Sequence, residues 1–274
     1  MRQSQNPFFS IVLVNYNGAK FLENAILSVI SQDFHDYEFI IVDGGSNDDS
    51  VNIIKKYANH LSWWISEPDK GQSDAFNKGF ARAHGVYYTW INADDMMLPG
   101  TLTQVKKAID ANPNYNWFVT DLIYINQYDK ILKCNKLMNL PNSVIKYGGH
   151  DISPSSYFHR ELFNMVGGFV VDYHYNMDDY LWIKFLMKGY SYKVINHWGW
   201  AYRIHEDSKT TATLMGVSSP KIDAEFDVIF KDNHHKWTKV GKLLKRFCKL
   251  FFSYPASRYY TLKYKDKDIH LINK

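Results

Sequence analysis

Hydrophobic positions in the first 95 residues follow two alternating rhythms. Apolar and β-branched runs at Phe8–Val14, Glu38–Val42, Leu61–Ile65 and Val86–Ile91 predict buried strands. Between them apolar residues recur at helical spacing: Phe21, Leu22, Ala25, Ile26, Val29 and Ile30 within Ala19–Ser31, and Ala75, Phe76, Gly79, Phe80 and Ala83 within Gln72–Ala83. A shorter helix is expected from about Ser50 to Tyr57. The βαβαβαβ alternation predicts a largely parallel sheet with helices on both faces. Ligands of such sheets bind beyond the carboxyl ends of the strands.

Three of those ends are polar in an unusual way: Asn15-Tyr16-Asn17, Asp43-Gly44-Gly45-Ser46 and Asn92-Ala93-Asp94-Asp95. Adjacent carboxylates at the end of a buried strand repel each other and lose solvation, and a divalent cation would relieve both penalties. A plain polar turn accounts for the same residues, since Asp and Asn are turn formers; Asp43 could cap the turn into the helix at Ser50, and Asp48 could do so better.

Beyond Pro99-Gly100 the pattern predicts a helix over Gly100–Ala111 and a strand over Asn116–Thr120, followed by a β-like stretch through Cys134. A loop is expected over Leu140–His150, a strand over Ser153–Phe158, and a short helix over Arg160–Val166 closed by Gly167-Gly168. Leu181, Trp182, Phe185 and Leu186 give the next helix a buried face, with Asp178 and Asp179 at its start, where the helix dipole favours negative charge. Trp198–Thr210 is expected to follow the last strand, with Trp198 and Trp200 either filling core or offering a flat face to a ligand. Trp237–Phe252 places Val240, Leu243, Leu244, Phe247, Leu250 and Phe251 at helical spacing, with lysines between them. Such a basic amphipathic helix either packs on the body with a solvated lysine face or lies in an anionic membrane surface.

Composition narrows the class. An apolar fraction of 46% over 274 residues supports a sizeable core. The net charge of +4 divides unevenly: residues 231–274 hold 12 Lys/Arg against 3 Asp, and residues 1–230 hold 20 against 25 Asp/Glu. The basic character belongs to the tail, and no nucleic-acid motif accompanies it, so no nucleic-acid partner is expected. Two distant cysteines, Cys134 and Cys248, suggest neither a disulfide framework nor a zinc site. With no basic-then-apolar leader and no long apolar run, the expected location is the cytoplasm, or the cytoplasmic face of a membrane through residues 237–252. Neither a P-loop nor a Gly-x-Gly-x-x-Gly turn follows the first strand.

Four segments in order, Ser10–Asn17, Glu38–Asp48, Ser66–Gly79 and Ile91–Asp95, resemble the inverting family 2 glycosyltransferases of the GT-A fold. The resemblance covers most of residues 8–210. It implies a mostly parallel Rossmann-like α/β sheet flanked by helices, here with a C-terminal amphipathic helical extension. Residues 1–98 would bind the nucleotide sugar, 99–212 the acceptor, and 213–274 would form the basic extension. The implied donor is a nucleotide-diphosphate sugar, most often of uridine, and the implied cofactor Mn2+ or Mg2+. The implied acceptor is a saccharide or lipid-linked saccharide hydroxyl, as in surface polysaccharide synthesis.

The resemblance also implies roles. Asp43 would bond the base, in a pocket lined by Asn15 and Tyr16, with Asn17 beside it. Asp69 and Asp74 would contact the nucleotide or donor sugar, with Asn77 next to them. Asn92-Ala93-Asp94 occupies the Asp-x-Asp position with an amide for the first carboxylate, which leaves Asp94 as the metal ligand with Asp95 beside it. Asp178 matches the base that inverting transfer requires, although Met177 stands where Glu is common and Asp179-Tyr180 reverses the usual order, making Asp179 a rival. The segment at Arg203-Ile204-His205 resembles the family's closing pattern. His205 would complete the metal site, and Arg203 and Lys209 would meet phosphate oxygens. Two other readings share these features: a sugar nucleotidyltransferase of similar fold, which should carry a glycine-rich basic first loop, and a binding subunit without catalysis.

Overall fold

The computed structural model describes residues 6–140, 152, 154–206, 208, 220–232, 243 and 246–272. Within them the chain alternates strand and helix as its hydrophobic rhythm predicts. The first part runs β1 (Phe9–Asn15), α1 (Ala19–Ile30), β2 (Tyr37–Asp43), α2 (Ser50–Lys56), β3 (Trp63–Ser66), α3 (Gln72–Phe80) and β4 (Tyr87–Asn92). Then come β5 (Met96–Met97), α4 (Thr101–Ala111), β6 (Trp117–Asn126), β7 (Ile131–Asn135), β8 (Ser156–His159), α5 (Arg160–Val166), α6 (Met177–Met187) and β9 (Lys193–Ile204). Two further helices follow, α7 (Pro220–Asp232) and α8 (Tyr254–Tyr264).

One sheet takes in all the strands, in the order β3-β2-β1-β4-β8-β6-β9-β5, with β7 paired to β6. β1, β2, β3 and β4 pair in parallel. β8 is antiparallel to both β4 and β6, so β6 and its parallel neighbour β9 point the same way as the first four. The sheet therefore crosses residue 98, the expected boundary between donor and acceptor halves, without interruption. β1 is buried along its whole length, as a central strand covered on both faces must be. On one side Phe76, Phe80, Trp90, Phe158, Phe163 and Phe169 form a continuous aromatic core beneath α3 and α5.

Three features depart from the pattern reading. β9 extends through Trp198–Ile204, a stretch expected to lie after the last strand. Its pairing to β6 shifts register on both sides of Asp121, which breaks the alternation that marks a strand in sequence. Gly199 sits at that irregularity, where an added Cβ would stand 2.2 Å from Thr120 Oγ1. The β-like stretch after Thr120 is a hairpin of β6 and β7. Helical structure in the tail continues past Phe252: a π-turn at Lys249–Ser253 leads into α8. α8 covers the free edge of β7 with hydroxyls, since Thr261 Oγ1 accepts from Cys134 N at 2.9 Å and Ser257 Oγ from Lys136 N at 2.9 Å. The expected loop at 141–150 and residues 237–242, 244 and 245 of the tail lie outside the described residues.

Candidate active site

Asn15 and Asp43 end neighbouring strands in register. Asn15 Nδ2 donates to Asp43 Oδ1 at 2.6 Å, and Ser46 Oγ donates to the same oxygen at 2.6 Å. Asp43 Oδ2 accepts from Ser46 N at 2.9 Å and from Ser66 Oγ, at the end of β3, at 2.6 Å. Burial alone would raise the pKa of this fully enclosed carboxyl, but the bonds from Ser46, Ser66 and Asn15 outweigh it and hold it below the usual range. The base contact implied for Asp43 thus meets a carboxylate whose two oxygens already serve the protein. The helix cap belongs to Asp48, which accepts from Ser50 N and Ala19 N at 3.0 Å each and so ties the starts of α1 and α2 together.

What this corner offers to the crevice lies around Asp43. The Tyr16 ring is 68% exposed, and Asn15 Oδ1 is buried with no hydrogen-bond partner. A Cβ on Gly44 would stand 2.6 Å from Asp69 Oδ2 and 3.3 Å from the Tyr16 ring, so the glycine backbone, the carboxylate and the ring share one corner. Asp69 Oδ1 accepts from Gly71 N at 2.7 Å. Asn17 adopts a left-handed backbone, which Asn tolerates, and its Oδ1 accepts from Asn47 N at 2.9 Å. Asp74 accepts from Lys70 N at 3.1 Å in the first turn of α3. Asn77 spends its amide on the Phe169 backbone, donating to its carbonyl at 2.8 Å and accepting from its N–H at 3.0 Å.

At the end of β4 the acidic pair separates. Asp95 turns inward and is 1% exposed, with Oδ1 accepting from Arg203 N at 2.9 Å and Oδ2 from Asn92 Nδ2 at 3.1 Å. Burial, reinforced by the neighbouring Asp94 charge, pushes its pKa well up. Asp94 stays at the surface of the crevice, its Oδ2 3.1 Å from His205 Nε2. Of the three expected metal ligands, the structure brings Asp94 and His205 together and turns Asp95 away. Among the described residues no group of three His, Cys, Asp or Glu could hold a metal unaided. One carboxylate oxygen and one imidazole nitrogen do fit Mn2+ or Mg2+ in a site where substrate phosphates and water supply the remaining ligands.

Arg203 departs from its expected phosphate contact. It is 1% exposed: Nε donates to Asp94 O at 2.8 Å, Nη1 to Asn126 O at 3.0 Å and to Asp129 Oδ1 at 2.5 Å, and the guanidinium lies over Phe21. It fixes the backbone of Asp94 from behind. Trp200 is fully buried in the core, and Trp198 is partly buried, packed edge-on against Tyr260. Ala93 is buried against the Gly18 turn. Lys209 lies outside the described residues.

A chain of contacts leads from the β4 end to α6. Asn92 Oδ1 accepts from Gln72 Nε2 at 2.7 Å, and the next residue, Ser73, donates to Tyr173 O at 2.8 Å and lies 3.1 Å from Met177 Sδ. Asp178 and Asp179 follow in the first turn of α6, with Asp178 Oδ1 accepting from Asp179 N at 3.0 Å. Burial, with the Glu225 charge adding to it against the local amide bonds, pushes the Asp178 carboxyl up to about 6. Sequence reasoning missed Glu225, which reaches across from α7 to accept from His174 N, Tyr175 N and Asn176 N at 2.8, 2.8 and 2.6 Å. Pro220 followed by Ile222, Phe226 and Ile229 at helical spacing was the available signal for α7, though not for its partner.

Residues 10–164 match the family model described as Glycosyl transferase family 2. The chain belongs to this family. An uncharacterised glycosyltransferase of Nostoc sp. is 37% identical over 106 residues, 38% of this chain and 33% of the relative. One of Rickettsia typhi is 27% identical over 199 residues, 68% of this chain and 60% of the relative. The chain thus spans about a third to three fifths of these relatives. Its fold is that of S. aureus TarS, solved as residues 1–349 with UDP-GlcNAc, at TM-score 0.64 and 19% identity over 81% of this chain and 65% of that one. It is also that of the mannosyltransferase PcManGT of Pyrobaculum calidifontis, solved with GDP-Man and Mn2+, at TM-score 0.58 and 16% identity over 95% and 80% of the two chains. The family 2 match and these GT-A neighbours agree with the α/β fold class expected from the strand–helix alternation.

Proposed function

We propose that this family 2 chain transfers a sugar, with inversion, from a nucleotide-diphosphate sugar to a hydroxyl acceptor. The carrying observation is the run of contacts, Asn92 to Gln72 and Ser73 to Met177, that joins the β4 end, where Asp94 meets His205, to the first turn of α6, where Asp178 has a raised proton affinity. The donor nucleotide lies over the ends of β1, β2 and β4, its base in the corner of Tyr16, Gly44 and Asp69. Uridine is the proposed base, a reading that the UDP-GlcNAc complex of TarS supports.

In the transfer the acceptor oxygen attacks the anomeric carbon as the bond from that carbon to the diphosphate breaks. The acceptor proton passes to Asp178, and the electron pair leaves with the nucleoside diphosphate. Asp94 and His205 would hold a divalent ion, which supplies charge neutralisation at the leaving diphosphate. Asp178 can do this work near neutral pH because it is ionised there and yet binds a proton more readily than an ordinary carboxylate. The proposed acceptor is a saccharide hydroxyl, lipid-linked in surface polysaccharide assembly.

A thermal-shift panel of uridine, guanosine, thymidine and cytidine diphosphates, each with and without Mn2+, tests the donor reading. Stabilisation by one base that depends on the metal is the expected result. No shift with any of them would sink it.

A further inference from the structure

Of the fourteen large apolar side chains exposed among the described residues, eight lie between Leu243 and Leu271. Leu243, Phe247, Leu250, Phe251, Tyr254 and Leu262 are each more than half exposed and follow one another at intervals of three, four or eight residues, apart from the adjacent Leu250 and Phe251. Leu250 and Phe251 lie in the π-turn, and Tyr254 and Leu262 continue the face along α8. The opposite face of this segment is already spent, with Ser253, Ser257 and Thr261 bonded to the β7 edge at Lys136 and Cys134. The helix therefore packs on the body and still presents an apolar face.

Charge selects what covers that face. From Asn233 to Lys265 the chain carries nine Lys/Arg and no Asp or Glu. Arg246, Arg258 and Lys263 are exposed next to the apolar positions. A second copy of the chain would set this basic face against itself, which like charges oppose. An anionic bilayer surface supplies both an apolar layer and negative charge, and tyrosines suit its interface. We propose that the face of Leu243–Leu262 docks on an anionic lipid surface, with α8 as the mount that fixes the catalytic body against it. This deepens the lipid-linked acceptor reading and rests on it only for its purpose, not for its geometry.

The test is vesicle co-sedimentation of the full chain, comparing phosphatidylcholine alone with phosphatidylcholine containing about 30% phosphatidylglycerol. The expected result is partition at least about 10-fold stronger on the anionic vesicles and loss of it near about 0.5 M salt. The double variant Phe247→Glu/Phe251→Glu, and separately Leu262→Glu, should each lose about 10-fold of that partition without a change in melting temperature. Equal partition on both vesicles, partition unmoved by either variant, or a dimer that Phe247→Glu disperses with no vesicle partition would each overturn the proposal. Nucleotide-dependent melting shifts, read on the same samples, report separately on the donor reading.

Discussion

Glu225 stands behind Asp178 as the group that organises its surroundings: its carboxylate collects three successive amides, at His174, Tyr175 and Asn176, just before α6 begins. Ile229, one turn further along α7, packs on Ile183 of α6, so the two helices are joined by an apolar contact as well. The negative charge that orders the segment leading into α6 also opposes ionisation of Asp178, in the same direction as burial.

This relationship sets a pH dependence. The Asp178 carboxyl titrates at about 6 in the fold against 3.8 for the free side chain. A base must be ionised, so turnover should rise with pH through about 6 and level off above it. Glu225→Gln keeps one acceptor oxygen, enough for Tyr175 N and Asn176 N, leaves His174 N facing an amide donor, and removes the charge; it should move that inflection to lower pH. Stability runs the other way. Between the two values the native state binds more protons than the unfolded state, so the stabilisation is complete below 3.8 and is lost as pH rises through about 6. Asp178→Asn should therefore lower kcat by about 10²- to 10⁴-fold while raising the melting temperature at pH 7 to 8. Rate–pH profiles and melting curves of the two variants check both signs. Unchanged turnover in Asp178→Asn would remove this residue as the base and leave Asp179.

The two adjacent carboxylates at the β4 end should respond differently to truncation. Asp94 is the partly exposed partner of His205, and Asp94→Ala or His205→Ala should abolish the Mn2+-dependent part of nucleotide stabilisation with little loss of fold stability. Asp95 is interior, and Asp95→Ala would leave Arg203 N and the Asn92 side chain without their acceptor, costing about 1–3 kcal/mol in urea unfolding. Equal effects of Asp94→Ala and Asp95→Ala on metal-dependent binding would contradict this division.

Much of this division was legible in the residues, and part was not. The strand–helix rhythm places β1, α1, β2, α2 and α4 within a residue or two of where they stand, because each has an uninterrupted apolar period and a polar end. The convergence of three polar strand ends follows from parallel pairing alone. Burial direction at Asp94-Asp95 is a different kind of fact: two neighbours in sequence point to different sides, and only the pairing of β5 with β9 decides which one meets Arg203. Arg203 read as a phosphate ligand because Arg203-Ile204-His205 resembles the family's closing pattern, whereas here four separate groups absorb its guanidinium. The tie between Glu225 and residues 174–176 spans about fifty positions and has no local signature.

Asp43 should behave as a structural residue first. Its pKa is lowered in the fold, so its contribution is present above the unfolded value of 3.8 and is lost as pH falls through the folded one. Asp43→Ala would strand the donors of Ser46, Ser66 and Asn15 in a buried pocket, at a cost of about 3 kcal/mol or more. Urea unfolding at pH 7 measures that cost. A stable Asp43→Ala protein that had lost only nucleotide binding would return Asp43 to the role of base ligand.

Gly79 lets α3 lie close against the sheet, and the reason is steric. A Cβ there would stand 2.3 Å from Val12 Cγ1 and 3.3 Å from Val42 Cγ2, on the two central strands whose ends frame the nucleotide corner. Alanine is the better helix former by about 1 kcal/mol, so in an open helix the exchange would stabilise. Here it must push α3 off β1 and β2, and overpacking of that kind costs about 1–3 kcal/mol. Gly79→Ala should therefore be net destabilising. The same displacement would carry Gln72 and Ser73 away from Asn92 and Met177, loosening the link between the two walls of the crevice. The double variant Gly79→Ala/Val12→Ala separates the causes: restored space should recover nucleotide affinity, even though the lost valine side chain still costs core stability.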